Sequence, residues 1–166
     1  MRIAICPGSF DPITLGHLDI IRRASLIFDE VVVCVMKNAS KTSPMFTVEE
    51  RADMVRRVVK SYPNVRVDTP DGLLAEYAKK YDGATVVKGL RAASDFEYEF
   101  QMDLLNKKIN PDMETMFLTS SAKYTFLSSS IVREMAKYGA DLTGFVPDEI
   151  IEDIEKKLCN GGKIDG

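Results

Sequence analysis

Apolar residues fall into five short runs along the chain, and stretches with helical spacing alternate with them. Residues 2–6 read as a first strand, with Ile3, Ala4, Ile5 and Cys6 following one another without a polar break. Residues 16–28 read as a helix, because Leu18, Ile21, Ala24 and Phe28 recur at steps of three and four. Residues 30–36 are a second strand, a near-continuous apolar run of the kind buried on both faces of a parallel sheet. Thr47 followed three residues later by Glu50 forms a capping box and opens a helix to about Lys60. A short strand at 65–67 and a helix at 73–81 come next, then a strand at 84–87 that runs into Lys88-Gly89-Leu90-Arg91. A long helix over 93–108, a strand at 115–118, a helix over 128–138 stopped by Gly139 and a last amphipathic helix over 147–158 complete the series. Five strands alternating with helices through short connections predict an α/β fold: a single doubly wound, Rossmann-like domain with a five-stranded parallel sheet and helices on both faces. The domain spans residues 1–158, and the glycine-rich residues 159–166 read as a flexible C-terminal tail.

In such folds ligands sit outside the carboxyl ends of the strands, near the point where strand order reverses. The polar motifs of this chain obey that rule. Pro7-Gly8-Ser9-Phe10-Asp11-Pro12-Ile13-Thr14-Leu15-Gly16-His17 follows the first strand and carries the only histidine. Lys41 follows the second, Lys88-Gly89-Leu90-Arg91 ends the fourth, and Ser128-Ser129-Ser130 follows the fifth. A strand, a glycine-bearing turn and a helix N-terminus together present backbone N–H groups to an anion, so a phosphate is expected at the first of these turns.

Composition narrows the ligand. A net charge of -3 argues against a nucleic-acid-coating surface but leaves room for local cationic pockets. Three dispersed cysteines and one histidine leave no zinc site, and no metal-ligating residues are assigned. Cys6 and Cys34 lie in strands and read as small buried hydrophobes. No apolar run is long enough to span a membrane, and the N-terminal segment lacks the pattern of a signal peptide; a cytoplasmic protein is expected. Neither G-x-G-x-x-G nor a P-loop occurs.

The turn after the first strand instead resembles G-[ST]-F-D-P-x-[TH]-x-G-H, the signature of the nucleotidyltransferase superfamily, with Thr14-Leu15-Gly16-His17 as its phosphate-binding element. The second signature of that superfamily, I-S-S-[ST]-x-x-R, is matched by Leu127-Ser128-Ser129-Ser130-Ile131-Val132-Arg133. Thr14 in place of a first histidine, Pro44-Met45-Phe46-Thr47 with Glu49-Glu50-Arg51, and Gly89-Leu90-Arg91 followed by Asp95 to Glu99 are similar to bacterial phosphopantetheine adenylyltransferases, over residues 2 to about 158.

That resemblance implies transfer of AMP from ATP to 4′-phosphopantetheine, giving dephospho-coenzyme A and pyrophosphate. It implies that His17 contacts the α-phosphate and stabilises the transition state, and that Ser9 touches both substrates. Lys41 and Lys88 would hold the phosphate of phosphopantetheine, with Lys88 standing where many members have Arg, and Leu74 would contact the pantetheine arm. Phe10, Gly89, Leu90, Arg91, Glu99 and the segment Tyr124, Thr125, Phe126, Leu127, Ser128, Ser129 and Ser130 would form the ATP site. Mg²⁺ would be held mainly by ATP phosphates and water. A homohexamer and feedback binding of coenzyme A are implied, and no nucleic-acid or membrane partner.

Chemistry accords with these roles. The nucleophile is a phosphate already ionised at neutral pH, so no general base is needed; the task is to bring two anions together and stabilise the accumulating charge. At a helix N-terminus the dipole disfavours imidazolium, so His17 is expected to act as a neutral N–H donor. Two other readings stay open: a sister nucleotidyltransferase with another acceptor such as nicotinate mononucleotide, and a catalytically silent nucleotide sensor. Ser128–Ser130 can be an ordinary N-cap cluster. Asp95, Glu97, Glu99 and Asp103 read as a solvated helix face with Glu99 as its functional member. Phe96, Phe100 and Leu104 form a second apolar row on that helix, which calls for a second partner.

Overall fold

The computed structural model describes residues 1–37 and 44–161. Five strands, β1 (Ile3–Gly8), β2 (Glu30–Val35), β3 (Val65–Asp68), β4 (Thr85–Leu90) and β5 (Glu114–Thr119), form one parallel sheet in the order β3-β2-β1-β4-β5. The helices are α1 (Leu15–Ile27), α2 (Val48–Val59), α3 (Leu74–Ala78), α4 (Ala93–Ile109), α5 (Ser129–Lys137) and α6 (Ile151–Gly161). Single 3-10 turns precede α5 and α6, at Ala122–Tyr124 and Asp148–Ile150. This is the α/β architecture expected from the alternating pattern. None of the described helices is long and apolar enough to cross a membrane.

Alternation along β1 and β2 sorts the core into two layers. Ala4, Cys6, Val31, Val33 and Val35 face the larger cluster, which takes in Ile20, Ile21 and Ala24 of α1, Val55 and Val58 of α2, Val132 of α5 and Ile154 of α6. Ile3, Ile5, Val32, Cys34 and Val86 face the smaller one, built with Ala75, Tyr77 and Ala78 of α3 and with Met113.

The chain winds outward from β1 to β3, then crosses back to β4 and β5, so order reverses between β1 and β4. Pairing across that seam ends at Ile5↔Val86, although both strands continue. This divergence opens the crevice. It also explains how β1 runs through Pro7 to Gly8, two residues beyond the expected end. Gly8 turns its carbonyl toward β2, accepting from the Met36 N–H at 2.8 Å. Pro7 therefore faces the β4 side, where no ladder partner needs its missing N–H.

Two other bounds differ from the sequence pattern. α3 is a single short helix, with Lys80 and Tyr81 already in turns. α6 continues to Gly161, past Leu158, so the expected tail begins as helix; residues 162–166 are outside the described residues.

Candidate active site

The crevice between the ends of β1 and β4 is a cavity of about 670 Å³. Its floor comes from β1 and β4, and its walls come from α1, α4 and the start of α5.

The first wall is set by how the β1–α1 turn closes. Thr14 is the N-cap of α1 and its hydroxyl accepts from the His17 N–H at 3.3 Å. His17 returns the bond: its Nδ1 accepts from the Thr14 N–H at 3.0 Å. A histidine thus fills the capping-box position usually held by Glu or Gln. Because a backbone N–H can only donate, Nδ1 must be the acceptor nitrogen, which puts the ring proton of the neutral tautomer on Nε2. The Phe10 ring meets the imidazole edge-on at 5.2 Å between centroids. Phe10 itself sits at φ 47, a left-handed conformation that strains a non-glycine residue. Its buried ring lies over Gly8, where an added Cβ would come within 2.9 Å of Phe10 Cζ. Gly8 is therefore required for the turn to fold back on itself.

Cations from the β4 side face this turn. Lys88 Nζ is ion-paired with Glu99 of α4, and both side chains are mostly buried. Arg91 donates through Nε to Asp95 at 3.1 Å and through one terminal nitrogen to the Leu127 carbonyl at 2.8 Å. Burial works against the charge on Asp95, but the bonds from Arg91 outweigh it and hold the carboxyl below its ordinary value. Gly89 lies where β4 passes α1; a Cβ there would sit 2.9 Å from Ile20 Cγ1. Its role is close packing of strand on helix rather than relief of a turn.

The N-terminus of α5 completes the rim. Ser128 is its N-cap, accepting from the Ile131 N–H at 3.1 Å. The Ser129 hydroxyl donates to the Pro12 carbonyl at 2.8 Å, tying α5 to the turn. With both hydroxyls engaged and the Ile131 N–H capped, the amides of Ser129 and Ser130, which have no intrahelical acceptor, are what the helix offers an anion.

A glycine turn, two helix N-termini, a histidine and the cations Lys37, Lys88 and Arg91 thus surround one cavity at the switch point. Residues 5–135 match the cytidylyltransferase-like family. Phosphopantetheine adenylyltransferase of Caldanaerobacter subterraneus subsp. tengcongensis is 54% identical over 158 residues, covering 95% of this chain and 98% of its own length. Its counterpart in Clostridium tetani is 55% identical over 160 residues, covering 96% and 99%. The chain belongs to the phosphopantetheine adenylyltransferase family. A crystal structure of a putative nicotinate-nucleotide adenylyltransferase from Vibrio parahaemolyticus has the same fold, with TM-score 0.68, covering 98% of this chain and 94% of its own, at 22% identity.

In this chain the cavity gathers most of the residues singled out in the sequence. Ser9, Phe10, His17, Leu74, Lys88 and Gly89 line it, as do Arg91, Glu99, Tyr124, Leu127, Ser128 and Ser129. Four do not. Leu90 gives its carbonyl to the Ser120 N–H at 2.8 Å, Thr125 bonds back to the Ser121 carbonyl, and Phe126 packs edge-on against Phe145. Ser130 turns outward and accepts from Arg133 at 3.1 Å. Lys41 lies outside the described residues.

The acidic face of α4 is also different from its sequence reading. Only Glu97 is exposed; Asp95 and Glu99 are each paired to a cation, and Asp103 is largely buried with one oxygen that has no hydrogen-bond partner among the described residues. Among the described residues no group of three or more His, Cys, Asp or Glu is placed to hold a metal ion. Cys6, on the cavity floor, is a neutral thiol: burial, aided by the neighbouring Cys34, pushes it up to about 12.

Sequence reasoning missed Lys37, which lines the cavity and pairs with Asp71 at 2.6 Å. It also missed the buried polar group beneath the turn. Asp11 accepts from the N–H groups of Met45 and Phe46 at 3.0 and 2.9 Å. Arg133 donates to the Asp11 carbonyl at 2.6 Å. Arg51 is almost fully buried against the same turn. A signal for Arg51 was present: it stands four residues before Val55 on the apolar stripe of α2, where a charge is out of place.

Proposed function

We propose that this chain transfers the adenylyl group of ATP to 4′-phosphopantetheine, giving dephospho-coenzyme A and pyrophosphate, as a step of coenzyme A biosynthesis. The observation that carries this reading is the His17 capping box, which aims a fixed, singly protonated imidazole along the helix that opens on the cavity. A phosphate oxygen of phosphopantetheine attacks the α-phosphorus of ATP, and the bond from that phosphorus to the pyrophosphate oxygen breaks. No proton has to be removed from the nucleophile. His17 donates from Nε2 to the α-phosphate and stabilises the charge that builds there. The α5 amides and Arg91 face the β- and γ-phosphates, while Lys88, with Ser9 and Lys41, takes the acceptor phosphate. Lys88 presents a point charge where Arg would present a fork, so Glu99 supplies the orientation that a guanidinium would carry itself.

The donor set fits Mg²⁺ in one way only. Asp95 and Glu99 are already paired, so the ion would be held by ATP phosphates and water, where it would partly neutralise the triphosphate. The reading includes a homohexamer, supported by the apolar side chains that α4 leaves exposed, a cytoplasmic location, and feedback binding of coenzyme A in the acceptor site.

The test is pyrophosphate release with ATP, Mg²⁺ and either phosphopantetheine or nicotinate mononucleotide. Release with phosphopantetheine, and a His17→Ala variant that keeps ATP binding while kcat falls by roughly 10²–10³, are expected. Turnover with nicotinate mononucleotide alone would favour the sister enzyme, and no turnover with either the sensor.

A further inference from the structure

We propose that Arg51 is a positioning residue for the acceptor side of this reaction, holding the backbone of Ser9, the exit of β2 and the entry of α2 in one frame. The inference rests on the function proposed above. Arg51 lies on α2 with 3% of its surface exposed and does not line the main cavity. One terminal nitrogen donates to the carbonyls of Ser9 and, at 3.0 Å, Met36. Nε donates to the carbonyls of Phe46 and Thr47, both at 3.2 Å. These four acceptors come from three places: the signature turn, the exit of β2 and the entry of α2.

Docking of α2 does not require this group. Ala52, Met54, Val55, Val58 and Val59 already bury that helix against the sheet. A buried guanidinium gives up its hydration and is retained only where its donors are met. What those donors meet here is the backbone of Ser9 and Met36, which line the cavity, and of the residues that open α2. Asp11 reinforces the frame from beside Arg51, through its bonds to Met45 and Phe46.

The arrangement is one-sided. The ATP side of the same turn is tied separately, by Arg133 to the Asp11 carbonyl and by Ser129 to the Pro12 carbonyl. Loss of the Arg51 contacts therefore loosens Ser9 and the end of β2, where Met36 and Lys37 line the cavity, while α5 keeps its own attachment.

The experiment is steady-state pyrophosphate release by the full chain with each substrate varied in turn, for the parent, Arg51→Lys, Arg51→Gln and a control, Val58→Ala. Lysine keeps the charge but cannot span the carbonyls, and glutamine keeps a donor without the charge. Arg51→Lys and Arg51→Gln are expected to raise KM for phosphopantetheine about tenfold and leave KM for ATP within about twofold. Val58→Ala, a buried truncation in the same helix, is expected to lower Tm with both KM values unchanged. The inference is overturned if Arg51→Lys and Arg51→Gln shift both KM values together, or shift neither while Tm falls as in the control. A parent without phosphopantetheine turnover would overturn the proposed function instead, so the two failures are distinct.

Discussion

The two sides of the sheet are finished to different degrees. On the α1–α2 side, Ile21, Ala24, Met54, Val55, Val132 and Ile154 are fully enclosed over β1 and β2. On the other side, α4 buries one residue of its seventeen, Asn106, and leaves Phe96, Phe100, Leu104 and Leu105 between 44% and 59% exposed. The cavity lies on the seam between them. His17 and the signature turn belong to the enclosed side, held by capping and by buried polar bonds. Lys88, Arg91 and Glu99 belong to the open side and are held by ion pairs. On the proposed function, the group that would sit against the reacting phosphorus stands on the enclosed side, and the groups that would take charged substrate stand on the open one.

The sharpest way to break this comparison is to truncate one apolar side chain on each side. Ile21→Ala, in the enclosed layer, is expected to destabilise the chain by about 2–5 kcal/mol in urea unfolding, whatever the protein concentration. Phe100→Ala is expected to change the stability of an isolated chain little, because the ring is half exposed already. If a second copy covers α4, its effect grows with protein concentration, since association adds to the stability of the folded state. Equal losses at low concentration would remove the distinction between the sides.

The same difference decides what could be read from sequence. Strands buried on both faces are written as unbroken apolar runs, so β1, β2 and β4 and the parallel topology were legible. The Thr47–Glu50 capping box was legible because it uses the usual residues, and it is present. The His17 capping box was not, because histidine at that position carries no such signal; yet that bond fixes the tautomer. Strand ends were less legible than strand centres, since Pro7 normally argues against a strand and is tolerated only because the seam has opened beside it. The exposed row of Phe96, Phe100 and Leu104 on α4 was visible as a second apolar face. The pairing of Lys88 with Glu99 was not, because which charges meet across two elements depends on the angle at which α4 crosses β4. Serine hydroxyls were legible as a cluster but not as to destination: Ser128 caps, Ser129 reaches the turn and Ser130 turns away.

At the seam, Lys88→Ala sharpens the comparison by removing a cation from the open side only. It is expected to raise KM for phosphopantetheine by about 10- to 100-fold, the scale of one or two charged-group hydrogen bonds, with Tm nearly unchanged. Part of that loss comes from the Glu99 carboxylate left unpaired in an anion site. Lys88→Ala with Glu99→Gln should therefore bind phosphopantetheine better than Lys88→Ala alone, a non-additivity readable as the ratio of KM values. A double variant no better than the single one would mean that Glu99 does not face the acceptor phosphate.

The smallest expected effect compares one carboxylate from each side. For Asp19 of α1, burial raises the pKa, but the Ser121 hydroxyl at 2.6 Å and the guanidiniums of Arg22 and Arg23 outweigh it and hold the group below its ordinary value. Asp95 is lowered too, against burial, by Arg91 alone among the side chains. A carboxyl whose folded pKa lies below the unfolded value near 3.8 contributes stability that is fully present above that value and is lost as pH falls through the folded one. Asp19 is 9% exposed at its side chain and Asp95 26%, so screening by water weakens the second more. Asp19→Asn is expected to lower stability at pH 7 by about 1 kcal/mol and to flatten the fall in urea midpoint between neutral and acid pH. Asp95→Asn should change that fall less. An acid limb equally flattened by both substitutions would show that the exposed pair is held as firmly as the enclosed one, and the contrast between the two sides would then rest on apolar packing alone.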